Sequence, residues 1–467
     1  MMSGSPPKSI SAFDPIQRRS GLVYFALPAI LVSQILGFFI SSYFGIELSG
    51  SLIYHADDGW CDTTFQGIGK HCFGDFSSFM NYDVASPWSN SFPTAYPPLS
   101  VLLMAMFKWL HSITNQGNIS LLIYLTLLII SLVSPAYFFV KSGLSKLKTL
   151  TIFLFLLLSG PSLMIIDRGN NLGFCVPLIF LAYYFALQKR YFHFQFIIVL
   201  LTLLKPQFGL LSVLLLLNKQ TRMFLVFILN TSLSYCVFFL FFGPNELISN
   251  ISNWFVNLFQ YQSYASLPMI YPNNISFANL VALPIAAFSK INPEFESVIK
   301  EVLGKPLFVT SISIVFLLTI LVTLFARRNK LNDLQMITTL LISLIMVPSV
   351  SFSYYLSVLL PLIYLLVYSS FLEGCQGQSR FSNFIKIASI QIESTLKTRF
   401  QRWIFKGFII TCLINWPIPW IVFGISPVGG NSGNLSIVWI VSPLFLFLFL
   451  ITLLFGNLKL RFKRSHD

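Results

Sequence analysis

Residues 121–140 read LLIYLTLLIISLVSPAYFFV, twenty consecutive positions without a charged side chain. An α-helix rises ~1.5 Å per residue, so a run of this length covers the ~30 Å hydrocarbon core of a bilayer. Comparable runs lie at Gly21–Ile46, Pro306–Phe325 and Leu435–Phe455. Of the 467 residues 55% are hydrophobic and 10% charged, and the mean hydropathy is +0.76. A soluble globular chain is about 25% charged, so water is not the main solvent of this one. The expected fold class is all-α and integral to the membrane: a polytopic helical bundle of about ten to twelve transmembrane helices. It forms one membrane-embedded domain over 1–467, with a structured first external loop. The first run is too long for a signal peptide, lacks a small-residue cleavage pattern and leads into further spans, so it is expected to remain as an anchor.

The net charge of +14 does not form one stripe. Basic residues recur between the apolar runs, at Lys8/Arg18/Arg19, Lys189/Arg190, Lys219/Arg222, Arg327/Arg328/Lys330, Arg380 to Lys406 and Lys459 to Arg464. That is the signature of cytoplasmic loops under the positive-inside rule, and it argues against a nucleic-acid partner. Membrane lipids are the partners that composition implies.

The segment 47–98 breaks the pattern. It holds six of the 16 acidic residues (Glu47, Asp57, Asp58, Asp62, Asp75, Asp83) against a single lysine, Lys70. Charge and parity place it outside the cytoplasm as an ordered first external loop. Cys61 and Cys72 sit within it, where oxidising conditions favour a disulfide. Cys175, Cys236, Cys375 and Cys412 lie in or beside apolar runs and read as small buried apolar residues. No metal site is expected, because only His55 and His71 lie near these cysteines and Asp57-Asp58 lacks an Asp-x-Asp spacing.

Beyond Tyr96-Pro97-Pro98, where proline suits the first turn of a helix, apolar runs follow closely. They are interrupted at Lys141 to Lys148, Asp167 to Asn171, Gln188 to His193 and Lys205-Pro206-Gln207. Two runs, 97–113 and 118–140, separate the external loop from Lys141, where an odd number is needed. Either one of them does not cross or the loop beginning at Lys141 is external. A second long segment of weak hydrophobicity, 243–305, is placed outside by parity, and loops of this length in compact proteins are usually functional. No internal repeat is visible, which weakens a transporter built from paired halves.

Charge at membrane depth costs on the order of 2.5–3.5 kcal/mol, so isolated charges there ask for a reason. Two stand out: Asp167-Arg168 in Ile165-Ile-Asp-Arg-Gly-Asn-Asn-Leu172, and Lys205 in Leu203-Leu-Lys-Pro-Gln-Phe208. A guanidinium fork and an ammonium point charge suit a phosphate on a lipid carrier, and Gly169 and Pro206 free nearby backbone groups to face an anion. The plainer reading is that Asp167 and Arg168 cap helix ends while Lys205 snorkels. In His71-Cys-Phe-Gly-Asp-Phe-Ser-Ser-Phe79, Asp75 stands among apolar residues, where desolvation raises a carboxyl pKa and improves it as a proton acceptor. Asp57, Asp58 and Asp83 compete for that role, and each reads equally as a solvated turn residue. The sequon at Asn274 is short enough to arise by chance.

Taken in order, these elements resemble the bacterial GT-C fold, polyprenyl-phosphate-mannose-dependent α-1,2-mannosyltransferases (glycosyltransferase family 87-like), from about Asp75 to Tyr364. The family has an aspartate early in its first external loop and a Tyr-Pro-Pro entry to the next helix, matched by Asp75 and Tyr96-Pro97-Pro98. Its Gly-Gln-x-Asn helix start is similar to Gly169-Asn170-Asn171, one residue shorter and without the glutamine. Its Lys-Pro motif is intact as Lys205-Pro206-Gln207. An Asn-x-Ser element resembles Asn274-Ile-Ser276, and a Ser-Pro-x-Ser segment resembles the stretch from Pro348 to Leu356. Many relatives carry a histidine near this last stretch, where the chain has Ser353, Tyr354 and Tyr355.

The resemblance implies a glycosyltransferase that moves a sugar, mannose by family habit, from a polyprenyl-phosphate donor to a lipid-linked or cell-envelope glycan acceptor. The reaction takes place on the extracytoplasmic side of the cell membrane, with inversion. It implies Asp75 as catalytic base and Arg168 and Lys205 at the donor phosphate. Tyr96, Asn170, Asn171, Gln207, Asn274, Ser276 and Tyr354 are the implied substrate contacts. No nucleotide-binding motif is present, the family typically works without a metal, and no cofactor is expected beyond the lipid-linked donor itself. A transporter or flippase of lipid-linked glycans would also need a cationic groove but has no use for a base in the first loop. A structural membrane subunit leaves Arg168 and Lys205 without a purpose.

Overall fold

The computed structural model describes residues 73–81, 83–89, 94–141, 145–266, 275–281, 306–348, 353–369, 380–413 and 437–455, together with a few positions between 28 and 35. Cys61, Cys72, Asn274, Asp57 and Asp58 lie outside the described residues, and with them the expected disulfide.

Every regular element among the described residues is helical. In chain order those that build the site are α1 (Gly74–Asn81), α2 (Pro98–Thr114), α3 (Gly117–Val133), α4 (Lys146–Leu157), α5 (Gly160–Arg168), α6 (Cys175–Leu187), α7 (Tyr191–Leu204), α8 (Thr221–Leu240), α9 (Leu247–Ser266), α10 (Pro306–Arg327) and α11 (Asp333–Met346). Three described helices are long and apolar enough to cross a bilayer, at Asn118–Phe138, Thr221–Leu240 and Thr310–Lys330. α4 and α5 meet the same test only when taken together, with a bend of 59° between them, the form of a broken span or a re-entrant loop. Seven shorter apolar helices of 10–17 residues accompany them. The chain is a polytopic helical membrane protein.

Side-chain exposure follows the bilayer. Leu225, Leu229, Leu233 and Val237 of α8, and Ile314, Leu318, Val322 and Phe325 of α10, form exposed apolar stripes at helical spacing. Water would penalise such a face, whereas lipid tails accept it. α11 is the reverse: all of its residues are buried, which places it at the centre of the bundle. It starts from a capping box, Asn332 with Gln335, and Asn332 also donates to the Gln391 carbonyl at 3.2 Å.

The packing of α2 ties several parts of the chain together. Near its start, Ser100 Oγ donates to the Leu204 carbonyl at 2.6 Å. Half-way along, the Phe107 ring meets Phe76 of α1 (6.4 Å) and Tyr124 of α3 (5.0 Å). Tyr124 in turn donates to the Gly169 carbonyl at 2.9 Å. α2 is thereby packed against α1, α3 and the last turn of α7.

The segment 243–305, expected as an external loop, contains the twenty-residue helix α9. Its hydropathy is weak because its packed face carries Asn250 and Asn257 beside Trp254, all three buried. Trp254 Nε1 donates to the Ala95 carbonyl (3.1 Å), and Asn257 Nδ2 donates to the carbonyls of Trp88 (2.9 Å) and Thr94 (3.3 Å). The chain leading to Tyr96 is thereby pinned from one side by α9. From the other, Trp88 packs on Phe239 and Phe242 at 4.8 and 5.0 Å.

Candidate active site

The centre of the site is made by a helix that stops. α5 ends at Arg168, and Gly169 takes the left-handed conformation (φ 62°, ψ 39°). The N–H groups of Gly169 and Asn170 then bond back to the Ile166 and Ile165 carbonyls at 3.1 and 3.0 Å. Glycine is required here twice over. It adopts φ > 0 at no steric cost, and a Cβ in its place would stand 2.8 Å from the Cβ of Phe76. The close approach brings α1 against the end of α5, and with it Asp75.

Arg168 grips Asp75 in a two-pronged pair, Nη2 to Oδ1 at 3.0 Å and Nε to Oδ2 at 3.2 Å. Asn170 Nδ2 adds a third donor to Oδ2 at 2.6 Å, while its own Oδ1 accepts the Leu172 N–H at 2.9 Å. The pair is only partly exposed, 18% for the arginine and 16% for the aspartate. Such bidentate charge-assisted contacts are the strong class of hydrogen bond. They overturn one expectation. Burial does push the Asp75 carboxyl pKa upward, but the charge of Arg168 and the hydrogen bonds from Arg168 and Asn170 outweigh it, with a smaller pull from Lys205. The carboxyl is held below its usual range and is a carboxylate in this structure.

Lys205 arrives from another break. α7 ends at Leu204, Lys205 is extended (φ −148°, ψ 111°), and Pro206 opens a 3-10 turn. The lysine is 6% exposed, and its ammonium lies 4.4 Å from the centre of the Tyr96 ring. Among the described residues no carboxylate comes within ion-pair distance of it. Tyr96 also packs on Phe79 of α1 at 4.5 Å, so the Tyr-Pro-Pro entry joins the lysine to the helix that carries Asp75.

The far wall is the 3-10 segment Ser353–Leu359. Tyr354 places its ring 5.8 Å from the Arg168 guanidinium carbon and stacks on Tyr355 at 5.0 Å. Gln207 Nε2 donates to the Tyr355 hydroxyl at 3.1 Å. Asn171 is 2% exposed, and among the described residues neither its Oδ1 nor its Nδ2 has a hydrogen-bond partner. A buried amide left open on both atoms is costly, on the order of 1–3 kcal/mol, and functional sites are where such groups are retained.

Of the residues singled out in the sequence, Asp75, Arg168, Asn170 and Tyr354 are joined by direct contacts, Lys205 and Tyr96 form a second contact, and Phe79 of α1 links the two groups. Asn171 and Gln207 adjoin them in the chain. Ser276 is buried and accepts the Asn279 N–H at 3.1 Å, a capping contact at the start of a helical turn. Asp83 accepts from Ala85 and Ser86 in an exposed turn, which answers its place among the competing carboxylates. Tyr124 escapes the sequence because it looks like any aromatic in an apolar run, and Tyr355, noted there beside Tyr354, is not among the expected substrate contacts.

A family model for glycosyltransferase family 87 matches residues 94–353, more than half of the chain. The chain belongs to glycosyltransferase family 87. It is therefore a membrane glycosyltransferase, acting between a sugar donor and an acceptor. No curated protein and no solved structure gives a significant match. The matched stretch includes Tyr96, Arg168, Asn170, Lys205 and Gln207, and Asp75 precedes it.

Proposed function

We propose that this family 87 enzyme has the GT-C type of fold and transfers a mannosyl unit from a polyprenyl-phosphate donor. The acceptor is a hydroxyl of a lipid-linked or envelope glycan on the extracytoplasmic face of the cell membrane. The observation that carries the reading is the Asp75–Arg168 pair with the buried ammonium of Lys205 in the same cluster. Together they offer one carboxylate and two cations at the end of a bundle whose walls are apolar.

In this reading the donor's phosphodiester takes the place of the Asp75 carboxylate on Arg168, since both present two oxygens to a guanidinium fork. Lys205 contributes a second positive charge to the same group. Release from Arg168 removes what holds the carboxyl pKa down, so Asp75 gains basicity when the donor is in place. The acceptor oxygen attacks the anomeric carbon, its proton passes to Asp75, and the bond to the phosphate oxygen breaks with inversion. The negative charge left on the polyprenyl phosphate is stabilised by Arg168 and Lys205, the electrostatic contribution that is often largest. The side chains named supply acid–base and electrostatic chemistry without calling on a cofactor. Asn171 fits as an amide for a sugar hydroxyl, donating and accepting at once.

The test uses membranes containing the full chain, incubated with radiolabelled polyprenyl-phosphate mannose. Transfer of label to an endogenous lipid or glycan, absent with Asp75→Asn, supports the reading. Label that crosses the membrane without changing its chemical form identifies a flippase and overturns it.

A further inference from the structure

A cationic cavity beside the start of α7, where Lys189 precedes that helix, has no part in the chemistry above. Its volume is about 420 Å³, and its lining includes Lys189, Lys219, Arg328, Asn329, Asn332 and Asp333. The three cations come from three separate connections: after α6, before α8 and after α10. One carboxylate opposes them, and it is already engaged, since Asn218 Nδ2 donates to Asp333 Oδ1 at 3.1 Å. The capped N-terminus of the buried helix α11 borders the same space, with the N–H groups of Leu334 and Gln335 already bonded to the side chains of Gln391 and Asn332, so it contributes only the positive end of its dipole. α7 leads from this cavity to Lys205 over fourteen residues, so the two sites stand roughly 21 Å apart.

A second observation is independent of charge. Lys189 and Lys219 both have left-handed backbones, φ 55° and 58°. Each occupies the residue just past a helix end, where the next N–H bonds back across the turn: Arg190 to the Phe185 carbonyl at 2.9 Å, and Gln220 to the Leu215 carbonyl at 2.7 Å. Glycine is the usual occupant of that position, because any Cβ crowds the carbonyl oxygen there. Two successive turns therefore hold lysine where glycine is sterically easier, and both lysines line one cavity.

We propose that this cavity binds a phosphate anion, presented either by a phospholipid headgroup or as free phosphate. Basic pockets between membrane helices are known to take lipid phosphates. The site is independent of sugar transfer, and its test reads binding alone. Full-length protein in neutral detergent is titrated with dihexanoyl phosphatidylglycerol, dihexanoyl phosphatidylcholine and inorganic phosphate, and the unfolding midpoint is followed. Phosphatidylglycerol is expected to raise the midpoint and phosphatidylcholine, whose choline offsets the charge, to leave it unchanged. A matching shift with inorganic phosphate assigns the site to the free anion, and its absence to the headgroup.

Lys189→Gln/Lys219→Gln should weaken this binding at least tenfold. Lys189→Gly/Lys219→Gly should do the same while raising the ligand-free midpoint, because backbone strain is relieved. A purely structural role for the lysines predicts no such opposition of sign. Lys146→Gln/Lys148→Gln, which neutralises basic residues outside the cavity, should bind as wild type. Equal weakening by that control, undiminished binding by the cavity variants, or no shift with any ligand overturns the proposal.

Discussion

Gly169 and Phe76 meet so closely that the main chain of one helix end rests on the side chain of another helix, with 2.8 Å left for any added methyl group. Their contact sets the distance between α5 and α1, and so the distance between Arg168 and Asp75. Gly169→Ala should therefore damage activity more than stability. The left-handed backbone alone costs about 1–2 kcal/mol for a residue with a Cβ. The collision with Phe76 displaces the helix that carries Asp75, and a misplacement of about 1 Å can cost roughly a hundredfold in rate. Turnover and unfolding midpoint measured side by side check this; a variant with normal turnover would show that the spacing of the two helices is not critical.

Asp75→Asn keeps the shape of the side chain and removes both its charge and its capacity to accept a proton. Turnover should fall by about 10²–10⁴-fold, the usual contribution of a positioned base. Donor binding should hold or tighten, because Arg168 no longer has an internal competitor. Steady-state kinetics with a separate donor titration distinguishes this from a loss of binding.

The same carboxyl makes a prediction about acid. Its pKa is lowered in the folded protein from the ordinary 3.8, so its contribution to stability is present above that value and is lost as pH falls through the lower folded one. Below about pH 5 the wild-type midpoint should drop progressively towards that of Asp75→Asn, the loss completing as pH falls through the lowered folded pKa. Parallel curves for the two proteins would mean that the pair with Arg168 does not form in solution.

Lys205→Gln should raise the donor's dissociation constant by roughly ten- to a hundredfold, the equivalent of the ~1.5–3 kcal/mol of a hydrogen bond to a charged group. Tyr96→Leu removes the ring beneath the ammonium and should have a milder effect, roughly two- to thirtyfold for a partly desolvated cation–π contact. Titration with a non-transferable polyprenyl-phosphate analogue measures both. Identical affinities in wild type and Lys205→Gln would assign the lysine to snorkelling.

Tyr355→Phe leaves the ring stacked on Tyr354 but takes the hydroxyl from Gln207. About 1 kcal/mol is expected from the broken bond. If Gln207 touches the substrate, as its place beside Lys205 suggests, KM for one substrate should rise with little change in kcat. A change confined to the unfolding midpoint would mark the bond as structural.

Much of the site is legible in the sequence, and the residues show why. Arg168 and Lys205 are conspicuous because charge is rare in apolar runs, and Asp75 because its neighbours are phenylalanines. Their mutual arrangement is not legible. Asp75 and Arg168 are 93 positions apart, and no periodicity links the segment that carries Asp75 to the end of a later helix. The sign of the carboxyl's perturbation depends on that contact, so reasoning from apolar neighbours alone reaches the opposite direction. Helix α2 illustrates the limit for the fold: hydropathy reports whether a helix prefers lipid, not which helices it packs against. Helix α9 escapes for the converse reason, since asparagines on its packed face dilute an apolar average.

The Asp75–Arg168 pair also joins two parts of the chain that the family match separates, since the match begins at residue 94. A version trimmed to the matched stretch would retain the guanidinium and lose its counter-charge. A chimaera that took its leading segment from a relative would succeed only if the donor chain supplied a carboxylate at the same height. The two residues are best exchanged as a unit, and the natural boundary for transplanting this site lies ahead of Gly74, not at Thr94.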